Sequence, residues 1–293
     1  MSATQAETLL RRLREAPAVL VTVDAAQGSV PRDAGAWMAV WADATLGTVG
    51  GGRLEFDAIA QARTMLMGTP AQGADATGGS VLMRRFPLGP SLGQCCGGVV
   101  HLRFERVDAA DTDCLRGRLL GAMAPVALFG GGHVGRALVQ ILGALPFQVR
   151  WIDSRDEIFP DAVPANVVCE HSDPVQAAVR QLPTSARVLI MSFSHAEDLD
   201  VVAACLQRQR ERADLAYIGL IGSKSKWASF RQRLMQRGFD DSELAQITCP
   251  VGVPGIAGKE PEVIAVAVAA QLLQIASPRI TSPVLLADSQ AKD

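Results

Sequence analysis

Neither sign of charge is in surplus in this 293-residue sequence, which carries 28 lysines and arginines against 30 aspartates and glutamates. The net charge of −2 gives no sign of the basic surface with which nucleic-acid-binding proteins attract phosphates. Hydrophobic residues make up 48% of the chain, a share that argues against disorder. The composition therefore predicts a folded protein whose ligands are small molecules or other proteins.

Long apolar runs are also missing. The N-terminal segment is predicted to form a polar-capped amphipathic helix, not the apolar core of a secretory signal, and no later run is long enough to cross a bilayer. These absences predict a cytoplasmic protein with no membrane contact. The six cysteines do not resemble a disulfide framework in a chain of this length, so we expect free thiols.

The sequence is longer than a usual single domain, and its two parts differ in their hydrophobic patterns and loops. The first part alternates strand candidates with glycine-rich loops and is predicted to be a smaller α/β domain over residues 1–115. From Ala124 onward, short apolar runs alternate with longer amphipathic stretches, which is typical of a doubly wound parallel sheet. This Rossmann-type domain is predicted over residues 123–280.

The strands of the Rossmann-type domain are predicted from its short apolar runs, and its helices from the stretches between them. The predicted strands are Pro125–Phe129, Gln148–Ile152, Asn166–Cys169, Val188–Met191 and Ala216–Ile221. The predicted helices lie near 133–144, 173–181, 198–211, 224–236 and 262–275. In the first domain, strands are predicted over Ala18–Val23, Trp37–Val40, Val81–Phe86 and Val99–Phe104, with a helix over Leu54–Met67.

A glycine-rich loop follows the first strand of the Rossmann-type domain. Gly130, Gly132 and Gly135 have G-x-G-x-x-G spacing and lead into a helix that begins near His133. In such loops the first glycine permits a tight turn, the second lets backbone N–H groups approach a phosphate, and the third allows close helix–strand packing. The helix N-terminus adds positive potential. The loop therefore predicts a site for a cofactor phosphate, against the alternative that its glycines serve packing alone.

An acid and a base follow the next predicted strand. Asp153 lies 18 residues after Gly135, close to the distance at which Rossmann folds place an acid for a ribose hydroxyl. Arg155 favours an anionic group instead. The alternative is that both residues belong to a solvated turn.

Three further loops carry candidate residues, and the first two of them follow strands at the carboxyl edge of the sheet. His195 and the acids after it fit acid–base or metal chemistry, or simply the capped first turn of a helix. Ser223 and Lys224, with Lys226 close behind, begin the helix after the fifth strand and are candidates for a second anion contact. Lys259 lies in a glycine- and proline-rich segment that is a candidate lid or cradle.

The adjacent pair Cys95 and Cys96 is the unusual feature of the first domain. Neighbouring cysteines close a disulfide only through a strained ring, and this pair lacks the C-x₂-C spacing of structural zinc sites. Soft-metal, thiolate or persulfide chemistry remains, beside the alternative of two packed thiols in a glycine-rich turn.

Taken together, these motifs closely resemble the XdhC/CoxI family of xanthine dehydrogenase accessory proteins. The blocks that carry the resemblance span nearly the whole chain in the family's order: GSVPRDAGAWM, GTVGGGRLE, LGQCCGGVV, FGGGHVGRAL, WIDSRDEIFP, YIGLIGSKSKW and CPVGVPGIAGKEPEVIAVAVAAQLL. The resemblance implies a cytoplasmic, non-enzymatic homodimer that binds the molybdenum cofactor, expected in its molybdopterin form. The sequence leaves open whether the pterin also carries a nucleotide, since Asp153 leaves room for a nucleoside. It further implies protection of the cofactor during sulfuration by a cysteine desulfurase, followed by insertion into a xanthine dehydrogenase-type apoenzyme.

The motifs and the resemblance together define one candidate site. We expect the loop Gly130–Gly135 and the Ser223–Lys226 region to hold the phosphate end of the pterin, while Cys95 or Cys96 faces the thiophilic molybdenum. The full set of candidate cofactor-binding residues is Cys95, Cys96, Gly130, Gly132, His133, Gly135, Asp153, Arg155, His195, Ser223, Lys224 and Lys259. The family often has Thr-His-x-His where this chain has Ser192-Phe193-Ser194-His195, which argues against any role that needs both histidines.

Two other functions fit part of the sequence. An NAD(P)-dependent oxidoreductase would use the same glycine loop and Asp153, but the sequence shows no obvious catalytic acid. The only tyrosine, Tyr217, lies in a predicted strand and not four residues before a lysine on a helix. A nucleotide-sensing module would use the Rossmann-type domain and leave Cys95 and Cys96 unexplained.

Overall fold

The computed structural model describes residues 3–68, 81–89, 97–120 and 123–276. The described residues form two compact units. One unit takes those of Met1–Pro125, Leu142–Arg150 and Pro160–Cys169, and the other takes those of Val126–Ile141, Trp151–Phe159 and Glu170–Asp293.

The N-terminal part is built on a five-stranded antiparallel sheet in the order β3-β2-β1-β5-β4. Its strands are β1 Ala18–Gln27, β2 Trp37–Val40, β3 Thr45–Gly47, β4 Val81–Pro87 and β5 Val99–Val107. Its helices are α1 Ala3–Leu13, α2 Gly52–Met67 and α3 Thr112–Leu120. Because side chains alternate between the faces of a strand, β1 supplies Val19, Val21 and Val23 to a core with α2, and Ala18 and Leu20 to a core with α1.

The C-terminal part is built on a six-stranded parallel sheet. Its strands are β6 Ala124–Phe129, β7 Phe147–Asp153, β8 Val167–His171, β9 Arg187–Ile190, β10 Tyr217–Leu220 and β11 Ile247–Thr248. They lie in the order β8-β7-β6-β9-β10-β11. When these strands are numbered by their order in the chain, beginning with β6, this is 3-2-1-4-5-6, the strand order of a Rossmann fold. The prediction of a mixed α/β chain with a C-terminal Rossmann-type sheet is therefore confirmed.

Helices cover this sheet because its central strands are apolar on both faces. The helices are α4 His133–Leu142, α5 His195–Arg212, α6 Lys224–Gln236, α7 Asp241–Leu244 and α8 Pro261–Ala276. Val188 and Ile190 of β9 are fully buried in a cluster with side chains of α5 and α6. No described helix, the 16-residue α8 included, is both long and apolar enough to cross a membrane.

The structure differs from the sequence prediction in its short elements. The predicted helix near 173–181 is a 3-10 helix over Val175–Gln181. Buried Val175 and Ala178 are three residues apart, a spacing that suits three residues per turn. The strands β3 and β11 and the helix α7 were not predicted, since two to four residues are too few to show a period.

Candidate phosphate-binding site

The glycine loop lies at the point where the strand order of the parallel sheet reverses. The loop follows β6, and β6 lies beside β9 at the centre of the sheet. The chain leaves these two strands in opposite directions, so a crevice opens outside their carboxyl ends. Ligands of doubly wound sheets bind in such crevices.

Two of the three predicted glycines are required by packing. Gly130 has φ +121°, and a Cβ added there would lie 1.9 Å from the carbonyl oxygen of Met191. A Cβ on Gly135 would lie 2.1 Å from the carbonyl oxygen of Gly130. That oxygen also accepts a 2.9 Å hydrogen bond from the indole of Trp151. These contacts fix the turn and bring α4 close to the sheet.

Gly132 is different, because packing does not explain it. It is exposed, and no described atom lies within 4 Å of a Cβ built on it. Its exposed neighbour His133 is the first residue of α4. The first N–H groups of a helix have no partner within the helix, and they carry the positive end of its dipole. The space that a side chain would fill at Gly132 therefore lies at a helix end suited to an anion.

Asp153 ends β7 and is closed onto the loop. Its side chain is 1% exposed, and Oδ2 accepts a 2.6 Å hydrogen bond from the backbone N–H of Gly131. Arg155 supplies the other three donors: its backbone N–H and Nε bind Oδ1, both at 2.9 Å, and Nη2 binds Oδ2 at 3.0 Å. The carboxylate therefore accepts four hydrogen bonds, and the one from Gly131 holds the glycine loop in place.

These contacts keep Asp153 ionised. Burial by itself raises the pKa of a carboxyl group, but the hydrogen bonds from Arg155 and from the Gly131 N–H outweigh it and hold the pKa of Asp153 below its ordinary value. The same hydrogen bond raises the pKa of Arg155. The pair is a charged ion pair at every pH near neutrality.

Arg155 is also held from its other side. Its guanidinium carbon lies 4.3 Å from the ring centroid of Phe193, which follows β9 and is 65% exposed. Glu197 accepts hydrogen bonds from the Ser154 hydroxyl at 2.7 Å and the Phe193 backbone N–H at 3.2 Å. The loops after β7 and β9 are thus joined. Sequence reasoning missed Phe193 and Glu197 in this role, because no spacing signals a contact between distant loops.

A second acid at this edge of the sheet is buried with a lysine. Lys226 donates to Asp198 Oδ2 at 2.6 Å and to the carbonyl oxygen of Ile221 at 2.9 Å. The other carboxylate oxygen of Asp198 accepts from the backbone N–H of Ser192 at 2.7 Å. Lys226 was expected beside an anion, and it already has one within the protein.

The remaining candidate residues lie at helix ends and in loops. His195 is exposed, and its ring makes an edge-on contact with Phe230. The Ser223 hydroxyl caps α6 by accepting from the Lys226 backbone N–H at 3.1 Å, while the side chains of Lys224 and Lys259 are exposed. Hydrogen bonds among the described residues join neither lysine to the glycine loop.

The predicted metal ligands Cys95 and Cys96 lie outside the described residues. Within the described ranges, no three His, Cys, Asp or Glu side chains come together as a group able to hold a metal ion. The described cysteines 114, 169, 205 and 249 are free thiols. Burial raises the pKa of Cys205 to about 12, so this thiol is not a nucleophile.

The strand order and the glycine loop define a Rossmann domain with a glycine-rich turn after its first strand. The XdhC Rossmann domain matches residues 126–272, and the XdhC and CoxI family matches residues 12–73. The chain therefore belongs to the XdhC/CoxI family, which confirms the resemblance seen in its motifs.

Two individual proteins show how far the likeness extends. The chain is 27% identical over 270 residues to uncharacterized protein YqeB of Escherichia coli (strain K12), an alignment that covers 88% of this chain and 43% of the relative. The chain thus spans less than half the length of that relative. A crystal structure from Bacillus halodurans, described as a xanthine dehydrogenase, superposes with a TM-score of 0.71 at 20% identity, over 97% of this chain and 98% of that one. This likeness shows a shared fold.

Proposed function

We propose that this protein is a chaperone of the molybdenum cofactor, in which the glycine loop and the N-terminus of α4 hold the phosphate of the pterin. It serves as an accessory factor and not as an enzyme: it protects the cofactor during sulfuration and inserts it into a xanthine dehydrogenase-type apoenzyme. Membership of the XdhC/CoxI family supports the accessory role.

The observation that carries this proposal is the open space at Gly132. Gly130 and Gly135 are explained by packing, but a Cβ at Gly132 would meet no described atom within 4 Å beyond its chain neighbours. A glycine at that point gains significance from its place at a helix N-terminus, where backbone N–H groups can approach a phosphate oxygen. The residues present therefore fit the phosphate end of a pterin cofactor.

The other end of the cofactor is assigned to the cysteine pair. We propose that Cys95 or Cys96 faces the molybdenum, because a thiolate is a soft ligand suited to a thiophilic metal. The exposed Ser223 and Lys224 provide a second contact for the anionic end of the ligand. Lys226 is not part of that contact, since Asp198 already neutralises its charge.

The partners follow from the same proposal. A cysteine desulfurase delivers the sulfur, and a xanthine dehydrogenase-type molybdoenzyme receives the finished cofactor. The protein acts as a cytoplasmic homodimer.

Retention of the cofactor by a Gly132→Asp variant tests the proposal. A carboxylate at Gly132 would occupy the phosphate space and repel its charge, so we expect at least a tenfold loss of molybdenum cofactor co-eluting in gel filtration. Gly117→Asp is the matched control, because Gly117 is exposed on α3 and a Cβ there also meets no described atom within 4 Å. Equal retention by wild type and Gly132→Asp would contradict the proposal.

Replacement of both Cys95 and Cys96 by alanine tests the metal end separately. We expect the double variant to lose retention of the cofactor and activation of the client dehydrogenase. If both are unchanged, the cysteines have no role in holding molybdenum.

A further inference from the structure

The acid that Rossmann domains use for a ribose is present in this protein, but its acceptor sites are filled. Asp153 ends β7, the strand beside β6, which is the position from which such an acid accepts hydrogen bonds from ribose hydroxyls. An ionised carboxylate has about four lone-pair sites. The donors from Gly131 and Arg155 use four.

A ribose can reach Asp153 only by displacing Arg155. The hydrogen bonds of this guanidinium to Asp153 are charge-assisted, and such bonds are about twice as strong as neutral ones. Displacement would also separate Arg155 from the Phe193 ring and from the negative charge of Glu197. Two neutral hydroxyl groups do not replace these interactions.

The Arg155 guanidinium is partly exposed and has donors that Asp153 does not use. Its hydrogen bonds to Asp153 use Nε and Nη2, and its side chain is 34% exposed. The surface beside the glycine loop is therefore a guanidinium lying on an exposed aromatic ring, where a nucleoside-binding domain would offer a bare carboxylate.

We infer that Arg155 is a specificity-determining residue that closes Asp153 to ribose hydroxyls, so that the site takes a phosphate ester without a nucleoside. This inference rests on the proposed function, since it concerns the ligand of the same loop. It favours the plain molybdopterin form of the cofactor over its dinucleotide form, and it disfavours NAD(H).

Binding of NADH to the full chain tests the inference. Removal of the guanidinium in Arg155→Ala or Arg155→Gln frees the two acceptor positions on Asp153 that Nε and Nη2 occupy, so we expect both variants to bind NADH at least tenfold more tightly than wild type. The double variant Asp153→Asn with Arg155→Ala should lose that gain. Arg136→Ala is the matched control, because it removes an exposed cation from the first turn of α4 without touching Asp153.

Each outcome decides the inference. It is overturned if wild type binds NADH as tightly as the Arg155 variants, if neither variant gains affinity, or if the gain persists without Asp153. A gain of equal size in Arg136→Ala would show that the loss of one positive charge, and not the release of Asp153, improves NADH binding. That result would also overturn the inference. Retention of molybdenum cofactor, measured on the same preparations, separates the two claims. A gain in NADH binding without any cofactor retention by wild type would sink the proposed function and leave the role of Arg155 standing.

Discussion

Two buried aspartates at the same edge of the parallel sheet have cationic partners of different kinds. Asp198 is buried and Lys226 is mostly buried, with 3% and 12% of their side chains exposed, and the two residues connect the loops after β9 and β10. Asp153 is equally buried, but its partner Arg155 is a third exposed and lies beside the glycine loop. The first pair is closed within the protein, whereas the guanidinium of the second is partly exposed to solvent.

Loss of the closed pair is expected to have the largest effect on stability. Asp198→Ala would leave the Lys226 ammonium buried without a counter-ion and the Ser192 N–H without its acceptor, a change that costs about 3–5 kcal/mol. Urea unfolding measures it. Asp200→Ala is the control on the same helix, because Asp200 and Arg237 form an exposed ion pair worth about 1 kcal/mol or less. Equal losses in the two variants would show that the buried pair is not special.

The next largest effect on stability is expected at Gly130, and almost none at Gly132. Gly130→Ala places a Cβ against the Met191 carbonyl at a positive φ, which we expect to cost about 3 kcal/mol of unfolding free energy. Gly132→Ala should change stability by less than about 0.5 kcal/mol, since its Cβ meets open space. Thermal unfolding of the two variants makes the comparison, and a large loss at Gly132 would return that glycine to a packing role.

Loss of the Asp153–Arg155 ion pair is expected to have a smaller effect on stability, and this effect depends on pH. Asp153→Asn loses the charge-assisted hydrogen bonds and should cost about 2 kcal/mol at neutral pH. The pKa of Asp153 is lowered in the folded protein, so its contribution is present above the ordinary value of about 3.9 and is lost as pH falls through the folded pKa. The stability gap between wild type and variant should therefore shrink below about pH 4. A gap that is constant down to pH 2.5 would show that the carboxylate charge contributes nothing.

The smallest effect is expected at Phe193. Phe193→Ala removes a partly exposed cation–π contact with Arg155, worth about 0.5–1 kcal/mol. The Asp153–Arg155 pair itself should persist, so NADH binding should stay at the wild-type level. Binding that rises as far as in Arg155→Ala would mean that the ring, and not the carboxylate, holds Arg155 in place.

The sequence predicted the parts of this fold that are repetitive or locally constrained. The strands β6, β7, β9 and β10 are apolar runs between turn signals, and the spacing of Gly130, Gly132 and Gly135 predicts the turn that follows β6. The structure distinguishes the three glycines of that motif, because a Cβ on Gly130 or Gly135 would meet backbone whereas one on Gly132 would meet open space.

The pairing of the charged side chains could not be predicted from the sequence. Asp153 and Arg155 read as a ribose acid and an anion contact, yet their geometry makes them partners of each other. Likewise, Asp198 and Lys226 are 28 residues apart and meet only because β9 and β10 are neighbours. Such pairings depend on strand order and on side-chain rotamers, and the spacing of residues along the sequence predicts neither.

A structure determined with the molybdenum cofactor bound tests the central claim most directly. The claim predicts the phosphate at the N-terminus of α4, within hydrogen-bond distance of the backbone N–H groups of Gly132 and His133, with Asp153 still closed onto Arg155. A phosphate bound elsewhere, with the space at Gly132 filled only by solvent, would contradict it.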